Sequence, residues 1–358
     1  MPAYKDNMKG TWYVSFYYEN WKGVSERKLK RGFKTRRDAL EWERSFKMQK
    51  EKDFDMLFAD FVEVYKRDIR ARIKLSTWII KETIIDQKVT PYFGKKKLNE
   101  IKASDVIEWQ NEIMSFKTKH GKPYAPTYLK TLHNQLSAIF NHAVRYYDLK
   151  SNPAQKAGSM GKGKGKEMKI WTRDEYLRFA ESMMDKELSF HAFEMLYWCG
   201  MRMGEMLALT PNDFNFETQC VSISKTYQRL QCQDVITDPK TVKSNRIIKM
   251  PDFLSEEMQN YIEHIYHIKK SDRIFPVTKS YIEHEMIRGT KEQGLEKIRV
   301  HDLRHSHVSL LIELGFSAVA IADRVGHESI EITYHYAHLF PSKQGEIANS
   351  LNDYKKKV

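Results

Sequence analysis

The sequence contains few cysteines and no long apolar run. Its 358 residues include only three cysteines, Cys199, Cys220 and Cys232, too few for the disulfide framework of a small secreted protein. No uninterrupted hydrophobic stretch approaches the roughly 20 residues that a membrane-spanning helix needs. The opening segment, MPAYKDNMKG, has no apolar centre of the kind found in secretion signals. We therefore expect a cytoplasmic protein without membrane association.

Several common site motifs are also missing. GKGKGK lacks the residues and the strand-to-helix context of a phosphate loop, and no G-x-S-x-G elbow marks a serine hydrolase. HDLRHSH places His301 and His305 one helical turn apart, but it lacks the Glu of a zinc protease motif. No cysteine or carboxylate cluster nearby completes a tetrahedral set. We therefore expect neither a metal nor a bound cofactor.

Positive charge is abundant and unevenly distributed. The formal net charge is +13, and residues 1–50 alone hold 13 Lys and Arg against 6 Asp and Glu. Such an excess is typical of proteins that bind a polyanion such as nucleic acid. A solvated basic surface that serves solubility explains the charge equally well.

The length of the chain suggests two or three domains, and the first is short. TWYVSFYY and SERKLKRGF alternate or cluster aromatic and branched residues, which predicts two strands around a turn. KTRRDALEWERSFKMQK predicts an amphipathic helix with Thr35 as its cap. We expect this basic sheet-plus-helix unit to lay its sheet in a DNA groove.

Residues from about 54 to 152 have a helical pattern interrupted by prolines and glycines. The pattern predicts a four-helix domain with lysine-rich loops. SNPAQKAGSMGKGKGKEM then combines Pro, Gly and Lys without apolar periodicity. We interpret this stretch as an extended basic linker that tracks a phosphate backbone.

A second α/β unit begins near residue 169. CVSISKTYQ, DVITD and NRIIKMP predict three short strands, whereas the flanking segments, including SHVSLLIEL, SAVAIADRVG and IEITYHYAHL, predict helices. The final segment, PSKQGEIANSLNDYKKKV, has a weak helical pattern through Ile347 and Leu351. It is either a docking tail or a frayed terminus.

The second unit also holds an ordered series of reactive residues. CGMRMGEMLAL places Arg202 after a Gly-terminated apolar helix, with Glu205 one turn later to pair with it or orient it. HDLRH supplies His301 and Arg304, and GHES supplies His327, nine residues before a tyrosine. In this order and at these separations, the series resembles the tyrosine recombinases, the phage and conjugative-transposon integrase family. The resemblance is closest over residues 169–340.

This resemblance implies a multidomain α+β fold and a set of boundaries. It implies a small N-terminal sheet-plus-helix domain, a four-helix core-binding domain, and a mainly helical catalytic domain with a small three-stranded antiparallel sheet. The boundaries are 1–52 for arm-type DNA binding, 53–153 for core binding, 154–168 for the basic linker, 169–340 for catalysis and 341–358 for the tail. Implied partners are core and arm sites on double-stranded DNA, a homotetramer on that DNA, and an accessory bending or directionality factor.

The resemblance also implies a reaction. Tyr336 attacks a phosphodiester and forms a 3′-phosphotyrosyl bond, from which another strand's 5′ hydroxyl reverses the step without ATP or metal. Ionising a tyrosine of pKa near 10 requires about 4 kcal/mol at pH 7, and cationic neighbours reduce that requirement. Arg202 and Arg304 are suited to bidentate contacts with the phosphate, and His301 and His327 to proton transfer or hydrogen bonding.

Two assignments have competitors. The leaving oxygen needs a general acid, which in this family is a lysine between two strands. DPKTVKSNR offers Lys240, which matches the family's PKT pattern, and Lys243. Tyr334 and Tyr336 would point about 200° apart on a helix, and the family's nine-residue spacing selects Tyr336. We interpret His335, His338 and His307 as bystanders or structural residues, and His305 as a local hydrogen-bonding group.

The same catalytic set fits two other functions. A type IB topoisomerase uses this chemistry to relax DNA without exchanging strands, and a regulator that has lost catalysis would use only the basic units. The layout of three domains favours a site-specific integrase. Whether Tyr336 acts in its own protomer or in a neighbour remains open from the sequence.

Overall fold

The computed structural model describes residues 3–6, 10–19, 25–52, 56–119, 121–161, 168–239, 242–334 and 336. The chain divides into an N-terminal unit, Met1–Gly165, and a C-terminal unit, Lys166–Val358. Among the helices of the described segments, none combines the length and the apolar character that crossing a membrane requires.

The N-terminal unit begins with a small antiparallel sheet. Strands β1 (Tyr4–Asp6), β2 (Thr11–Glu19) and β3 (Ser25–Phe33) pair in that order, and helix α1 (Arg36–Lys52) follows. The Thr35 hydroxyl accepts a hydrogen bond of 3.1 Å from the Asp38 amide, which confirms the predicted cap. One face of the sheet packs on α1 through a cluster of apolar residues: Val14, Phe16, Phe33, Ala39, Trp42 and Phe46.

A helical segment follows in the same unit. Its helices are α2 (Phe58–Arg70), α3 (Leu75–Ile84), α4 (Thr90–Phe93), α5 (Ala103–Ser115), α6 (Pro126–Tyr146) and α7 (Pro153–Ala157). A π-helical turn, Ile85–Val89, joins α3 directly to α4. The longest helix, α6, lines the core with large apolar side chains, including Leu132, Leu136 and Phe140.

The start of the predicted extended linker is instead folded. Helix α7 lies within the stretch predicted as linker, and the Asn152 side-chain oxygen, Oδ1, caps it by accepting from the Ala154 and Gln155 amides. Met160 is buried in the helical core. A good cap and a few apolar residues are enough to order this segment, although its Pro, Gly and Lys content predicts an extended chain. Residues 162–167 of the linker lie outside the described residues.

The C-terminal unit is mainly helical. Its helices are α8 (Arg173–Glu181), α9 (Glu187–Trp198), α10 (Met203–Met206), α11 (Asp252–His264), α12 (Lys279–Glu292), α13 (Asp302–Glu313), α14 (Ala318–Val325) and α15 (Ile330–Tyr334). Helix α13 packs on α9 and α14, and α14 packs on α15. These contacts bring the end of α9, the start of α13 and the end of α14 together.

The strands of this unit differ from the prediction of one three-stranded sheet. They are β4 (Phe214–Asn215), β5 (Cys220–Ile223), β6 (Thr226–Leu230), β7 (Gln233–Thr237) and β8 (Arg246–Lys249). The order β4-β5-β8 forms one antiparallel sheet, and β6-β7 forms a separate hairpin. CVSISKTYQ therefore contains two strands, because the chain leaves the first sheet at Ser224 and Lys225. DVITD pairs only within the hairpin.

Helix α12 has no counterpart in the sequence analysis. Its sequence, KSYIEHEMIRGTKE, places only a few apolar residues among charged ones. Those apolar residues, Ile282 and Met286, are one turn apart and fully buried in the core of the unit. Burial of this narrow stripe stabilises the helix, which the average hydropathy of the segment does not indicate.

Candidate active site

Arg202 is placed by a sharp turn between α9 and α10. Gly200 has φ of +60°, and a Cβ there would lie 2.4 Å from the His307 ring, so only glycine fits. The Arg202 side chain donates to Glu205 across 2.7 Å and to the Gly326 carbonyl across 3.3 Å. It nevertheless remains 39% exposed. The guanidinium is therefore oriented and open to a ligand.

Glu205 is shared by two arginines. It is buried, and besides Arg202 it accepts a hydrogen bond of 2.9 Å from Arg246 on β8. Burial raises the pKa of the Glu205 carboxyl, but the Arg246 and Arg202 guanidinium groups outweigh burial and hold the pKa below its usual range. Arg246 also donates to the carbonyls of Arg324 and Ser244. The carboxylate thus stays ionised and fixes Arg202.

Sequence reasoning missed Arg246. The available signal is that it is a charged residue at the start of the short strand NRIIKMP, close to the candidate lysines. Its side chain is only 6% exposed, which is unusual for an arginine unless the group is fully hydrogen-bonded. Arg246 therefore links β8 to the last turn of α14 and to the carboxylate that orients Arg202.

Arg304 is almost completely buried on the first turn of α13. One of its terminal nitrogens, Nη1, donates to the Gly200 carbonyl across 2.8 Å. The other, Nη2, has no hydrogen-bond partner among the residues that the structure describes. Burial, together with the nearby Arg202 and Arg246 charges, lowers the pKa of Arg304 to about 9. Arg304 is therefore a desolvated cation with one donor available to an anion.

The two predicted histidines approach the arginines from different helices. His301 precedes α13 and is partly exposed. Desolvation and the neighbouring His305, Arg304 and Arg202 lower its pKa to about 4. His327 follows α14 and hydrogen-bonds through Nδ1 to the Thr333 hydroxyl across 2.8 Å. The His301 imidazole is therefore neutral at pH 7.

Burial and the arginines also act on His327. Desolvation, Arg304 and Arg202 lower its pKa to about 3, so the His327 imidazole is also neutral at pH 7. Gly326, just before it, has φ of +68°, and a Cβ there would lie 3.0 Å from the Lys243 carbonyl. The tight approach of this turn to the Lys243 segment holds His327 beside the arginines.

The Tyr336 side chain packs against α13 and α14, close to Arg304. Its side chain is 2% exposed and packs on Val308, Ile312, Ile321 and Val325. The phenol hydrogen-bonds to Nδ1 of His305. Burial raises the pKa of Tyr336 to about 12, against the opposing effect of the nearby Arg304 charge.

The neighbouring tyrosine has a different environment. Tyr334 ends α15 and is 54% exposed. The structure therefore places Tyr336, and not Tyr334, against His305, the residue next to Arg304. The helix predicted for IEITYHYAHL ends at Tyr334, and Tyr336 lies in a turn, so the two side chains diverge at a helix end and not within one helix.

The remaining candidates are placed as follows. Lys240, His335 and His338 lie outside the described residues. Lys243 lies in a short turn, Val242–Ser244, with an exposed side chain. His307 is buried, and its Nε2 accepts a hydrogen bond of 3.2 Å from Arg324.

Three family matches cover most of the chain. Residues 170–343 match the phage integrase family, residues 57–114 match the phage integrase N-terminal SAM-like domain, and residues 2–50 match an arm DNA-binding domain. The chain belongs to the phage integrase family. A relative, the ICEBs1 integrase of Bacillus subtilis, is 27% identical over 343 residues, which cover 89% of this integrase and 90% of the relative.

Solved structures show the same fold. The Tn1549 transposon integrase in complex with a circular intermediate DNA has a TM-score of 0.65 at 18% identity, over 82% of this chain and 98% of that one. A lambda integrase tetramer bound to a Holliday junction has a TM-score of 0.58 at 16% identity, over 92% and 96% of the two chains. The predicted tyrosine recombinase fold, with an arm-binding domain and small antiparallel sheets, is confirmed.

Family membership also confirms the predicted enzyme class. This integrase is a tyrosine recombinase, and site-specific DNA recombination is its function. Neither alternative, relaxation alone or non-catalytic regulation, is favoured. The roles of individual side chains are a separate matter, which depends on the geometry of the site.

Proposed function

We propose that this integrase cleaves and rejoins double-stranded DNA through a covalent 3′-phosphotyrosyl bond formed by Tyr336. The observation that carries the proposal is that the Tyr336 hydroxyl hydrogen-bonds, within one chain, to His305, the residue that directly follows Arg304 on α13. Arg304 contacts the Gly200 carbonyl two residues before Arg202, and Arg202 contacts the Gly326 carbonyl next to His327. The reactive residues therefore converge within one protomer.

The arginines supply the electrostatic part of the mechanism. A phosphodiester is an anion, and attack by a phenolate adds further negative charge at phosphorus. Nη2 of Arg304, which has no partner among the described residues, and the partly exposed Arg202 guanidinium supply N–H donors for the non-bridging oxygens. The contact from Arg304 is strong because this arginine is desolvated. His301 and His327, neutral in the free protein, donate hydrogen bonds to the same phosphate or take part in proton transfer.

A lysine protonates the departing 5′ oxygen in this proposal. We assign this role to Lys240, which lies outside the described residues, with Lys243 as the competitor. A substrate with sulfur in place of the 5′ bridging oxygen has a leaving group that needs no proton. Such a substrate should restore cleavage by Lys240→Ala, and restoration of Lys243→Ala alone would reverse the assignment.

Covalent capture tests the choice of nucleophile. The substrate is a nicked duplex, chosen from a pool of sequences that includes the junctions of the integrase's own element. Cleavage near the nick releases a short strand, which diffuses away and leaves the enzyme trapped on the DNA. The wild type and Tyr334→Phe should form a protein–DNA adduct, and Tyr336→Phe should not. Loss of the adduct in Tyr334→Phe alone would contradict the proposal.

Mixing variants tests whether Tyr336 acts in its own protomer. We propose cis delivery, because the phenol and Arg304 already lie together in one chain. Equal amounts of Tyr336→Phe and Arg304→Ala then form no adduct, since each chain lacks one part of its own site. Adduct in the mixture, with none from either variant alone, would establish delivery in trans.

The N-terminal sheet presents a face suited to arm-type DNA. Tyr13, Tyr17, Arg27 and Arg31 project from one side of β2 and β3, opposite the face that packs on α1. Tyr17 is 66% exposed, and the Arg31 guanidinium lies 5.4 Å from the centre of the Tyr13 ring. We propose that residues 1–52 bind arm sites through this basic and aromatic face.

Assembly follows from the same function. We propose that residues 53–153 bind the core site, that residues 154–168 link them to the catalytic residues 169–340, and that residues 341–358 form a docking tail. Four protomers on two core sites, with an accessory bending or directionality factor, complete the proposal. Light scattering of the complex with synapsed DNA should give four protomers, and a stable monomer or dimer after strand exchange would contradict it.

A further inference from the structure

We infer that His305 accepts the proton of Tyr336 during cleavage, with Asp302 stabilising the charged imidazole. The inference rests on the proposed function, because it assigns the proton acceptor of the same nucleophile. His305 becomes a catalytic residue in this scheme, and Asp302 a positioning residue that acts through it.

The geometry around His305 is that of an acid–base relay. The Tyr336 hydroxyl hydrogen-bonds to Nδ1 of His305, with the two ring centres 5.6 Å apart. The opposite ring nitrogen, Nε2, lies 3.9 Å from an Asp302 carboxylate oxygen. One nitrogen therefore faces the nucleophile, and the other faces a negative charge that favours an imidazolium.

Asp302 is held rigidly in this position. Its carboxylate accepts hydrogen bonds from the Arg299 backbone across 2.8 Å and from the Arg299 guanidinium across 2.7 Å. Burial raises the pKa of Asp302, but the Arg299 contacts outweigh burial and hold the pKa below its usual range. The carboxylate is thus ionised at neutral pH and remains beside the imidazole.

The other two histidines of the site are less suited to this role. Nδ1 of His327 is already engaged by the Thr333 hydroxyl. His301 lies beside His305, with ring centres 5.0 Å apart. In the described part of the chain, neither His301 nor His327 hydrogen-bonds to Tyr336, which leaves both free to face the phosphate.

His305 is in the correct protonation state to accept a proton. Charged or titratable groups face it from α13, from the segment before α13 and from the turn after α15: Arg299, His301, Asp302, Arg304 and Tyr336. Burial, Arg299 and Arg304 lower the pKa of His305, and Asp302 opposes them. The imidazole is therefore neutral at pH 7, and the tautomer with its proton on Nε2, towards Asp302, leaves Nδ1 to accept from the phenol.

The proposed step conserves atoms and charge. The Tyr336 O–H bond breaks, its proton moves to Nδ1 of His305, and the phenolic oxygen forms a bond to phosphorus. The bond between phosphorus and the 5′ oxygen breaks, and that oxygen takes a proton from the general acid, assigned above to Lys240. In rejoining, the 5′ hydroxyl attacks, the lysine recovers its proton, and His305 returns its proton to the departing phenol.

The test measures single-turnover adduct formation against pH, on the full chain. The probe is the nicked duplex that forms an adduct with the wild type, with sulfur at the 5′ bridging position so that the general acid does not limit the rate. The key variant is His305→Gln, which keeps a hydrogen-bonding side chain but cannot accept a proton. His284→Ala, on an exposed part of α12, serves as the matched control.

In the wild type and the control, the rate should be level between about pH 7 and 9 and should fall at lower pH, as His305 becomes protonated. His305→Gln should be about 10²- to 10⁴-fold slower at pH 7, the usual contribution of general acid–base catalysis. Its rate should rise about tenfold per pH unit towards pH 10, because it depends on the small fraction of free phenolate.

Asp302→Asn adds a second readout. Because Asp302 raises the pKa of His305, its loss should move the low-pH decline to still lower pH and slow the level region about tenfold or more. A merely structural role would reduce the amount of active enzyme without moving the decline. Thermal unfolding and DNA-binding measurements establish that each variant is folded.

The outcomes separate the inference from the function on which it rests. If folded His305→Gln cleaved DNA at the wild-type rate or faster, or kept the wild-type pH profile, the inference would be overturned. His305 would then only hold Tyr336 at rest. Absence of adduct from the wild type and from His284→Ala would instead overturn the proposed function. An unchanged low-pH decline in Asp302→Asn would remove Asp302 from the relay.

Discussion

Replacing Arg304 with methionine should slow DNA cleavage about 10³-fold and, at the same time, raise the stability of the DNA-free integrase. Arg304 is buried with one nitrogen lacking a partner among the described residues, next to two other arginines. Burial and the neighbouring arginine charges lower its pKa to about 9. The charged form is therefore disfavoured by folding at every pH below about 9, and that penalty disappears only as the pH rises above 9.

The magnitude follows from the contacts. Replacing buried charge by an apolar side chain of similar volume stabilises proteins by about 1–4 kcal/mol. The Gly200 carbonyl loses its donor, which costs about 1 kcal/mol, so we expect a net gain of up to about 3 kcal/mol. In a unit of this size, that gain raises the melting temperature by about 2–4 °C per kcal/mol. Loss of the phosphate contacts should slow cleavage about 10³-fold.

Arg324→Met is the matched control. Arg324 donates to the Lys249 and Trp198 carbonyls and to His307, across 3.0 to 3.2 Å. Its removal deprives these three acceptors of the Arg324 donor, at about 1 kcal/mol each, so it should destabilise the chain by about 3 kcal/mol. Thermal unfolding at pH 7 without DNA measures both variants. Similar destabilisation by Arg304→Met would refute the view that Arg304 is held ready for an anion.

Three further predictions concern other parts of the structure. Arg246→Lys should slow cleavage at least tenfold with little change in DNA affinity, because lysine cannot contact Glu205 and the Arg324 and Ser244 carbonyls at once. A wild-type cleavage rate would contradict this prediction. Arg27→Ala and Arg31→Ala should each reduce the slope of arm-site affinity against salt by about 1, whereas unchanged slopes would exclude the sheet face. The melting temperature should fall as pH drops from about 6.5 to 4, since the folded pKa values of His301 (about 4) and His327 (about 3) lie below the unfolded value near 6.5. His327→Gln should weaken that dependence, and an unchanged pH dependence would count against it.

The sequence predicted the parts of the fold that have strong local patterns. The strands β2 and β3, the capped helix α1 and the large apolar helices follow from alternation, periodicity and a Thr cap. The order of Arg202, His301, Arg304, His327 and a tyrosine predicted the family, because those residue types at those separations rarely coincide.

Other features depend on contacts that periodicity cannot indicate. Helix α7 and Met160 are ordered by the Asn152 cap and by packing in the core formed with α5 and α6. Composition rich in Gly and Lys predicts an extended chain because it does not register these contacts. Strand β7 pairs with β6 and not with the larger sheet, a choice that depends on which partner is adjacent in space. Such pairing is a tertiary property.

The same reasoning explains what was missed at the site. The sequence pattern identifies Arg246 only as a residue of a short strand. Its contact with Glu205, which is 41 residues away in the chain, forms only in the folded protein. The sequence suggested a local hydrogen-bonding role for His305, but its partner, Tyr336, is 31 residues away. In contrast, Arg202 and Glu205 are one turn apart, and their contact was correctly predicted.

The central claim is that the Tyr336 phenol becomes the covalent carrier of DNA. The most direct measurement is to isolate the trapped adduct, digest the protein and the DNA, and locate the nucleotide-bearing peptide by mass spectrometry. We expect a single modified residue, Tyr336, linked through a 3′ phosphate. A nucleotide on Tyr334 or on any other side chain, or linkage through a 5′ phosphate, would contradict the account.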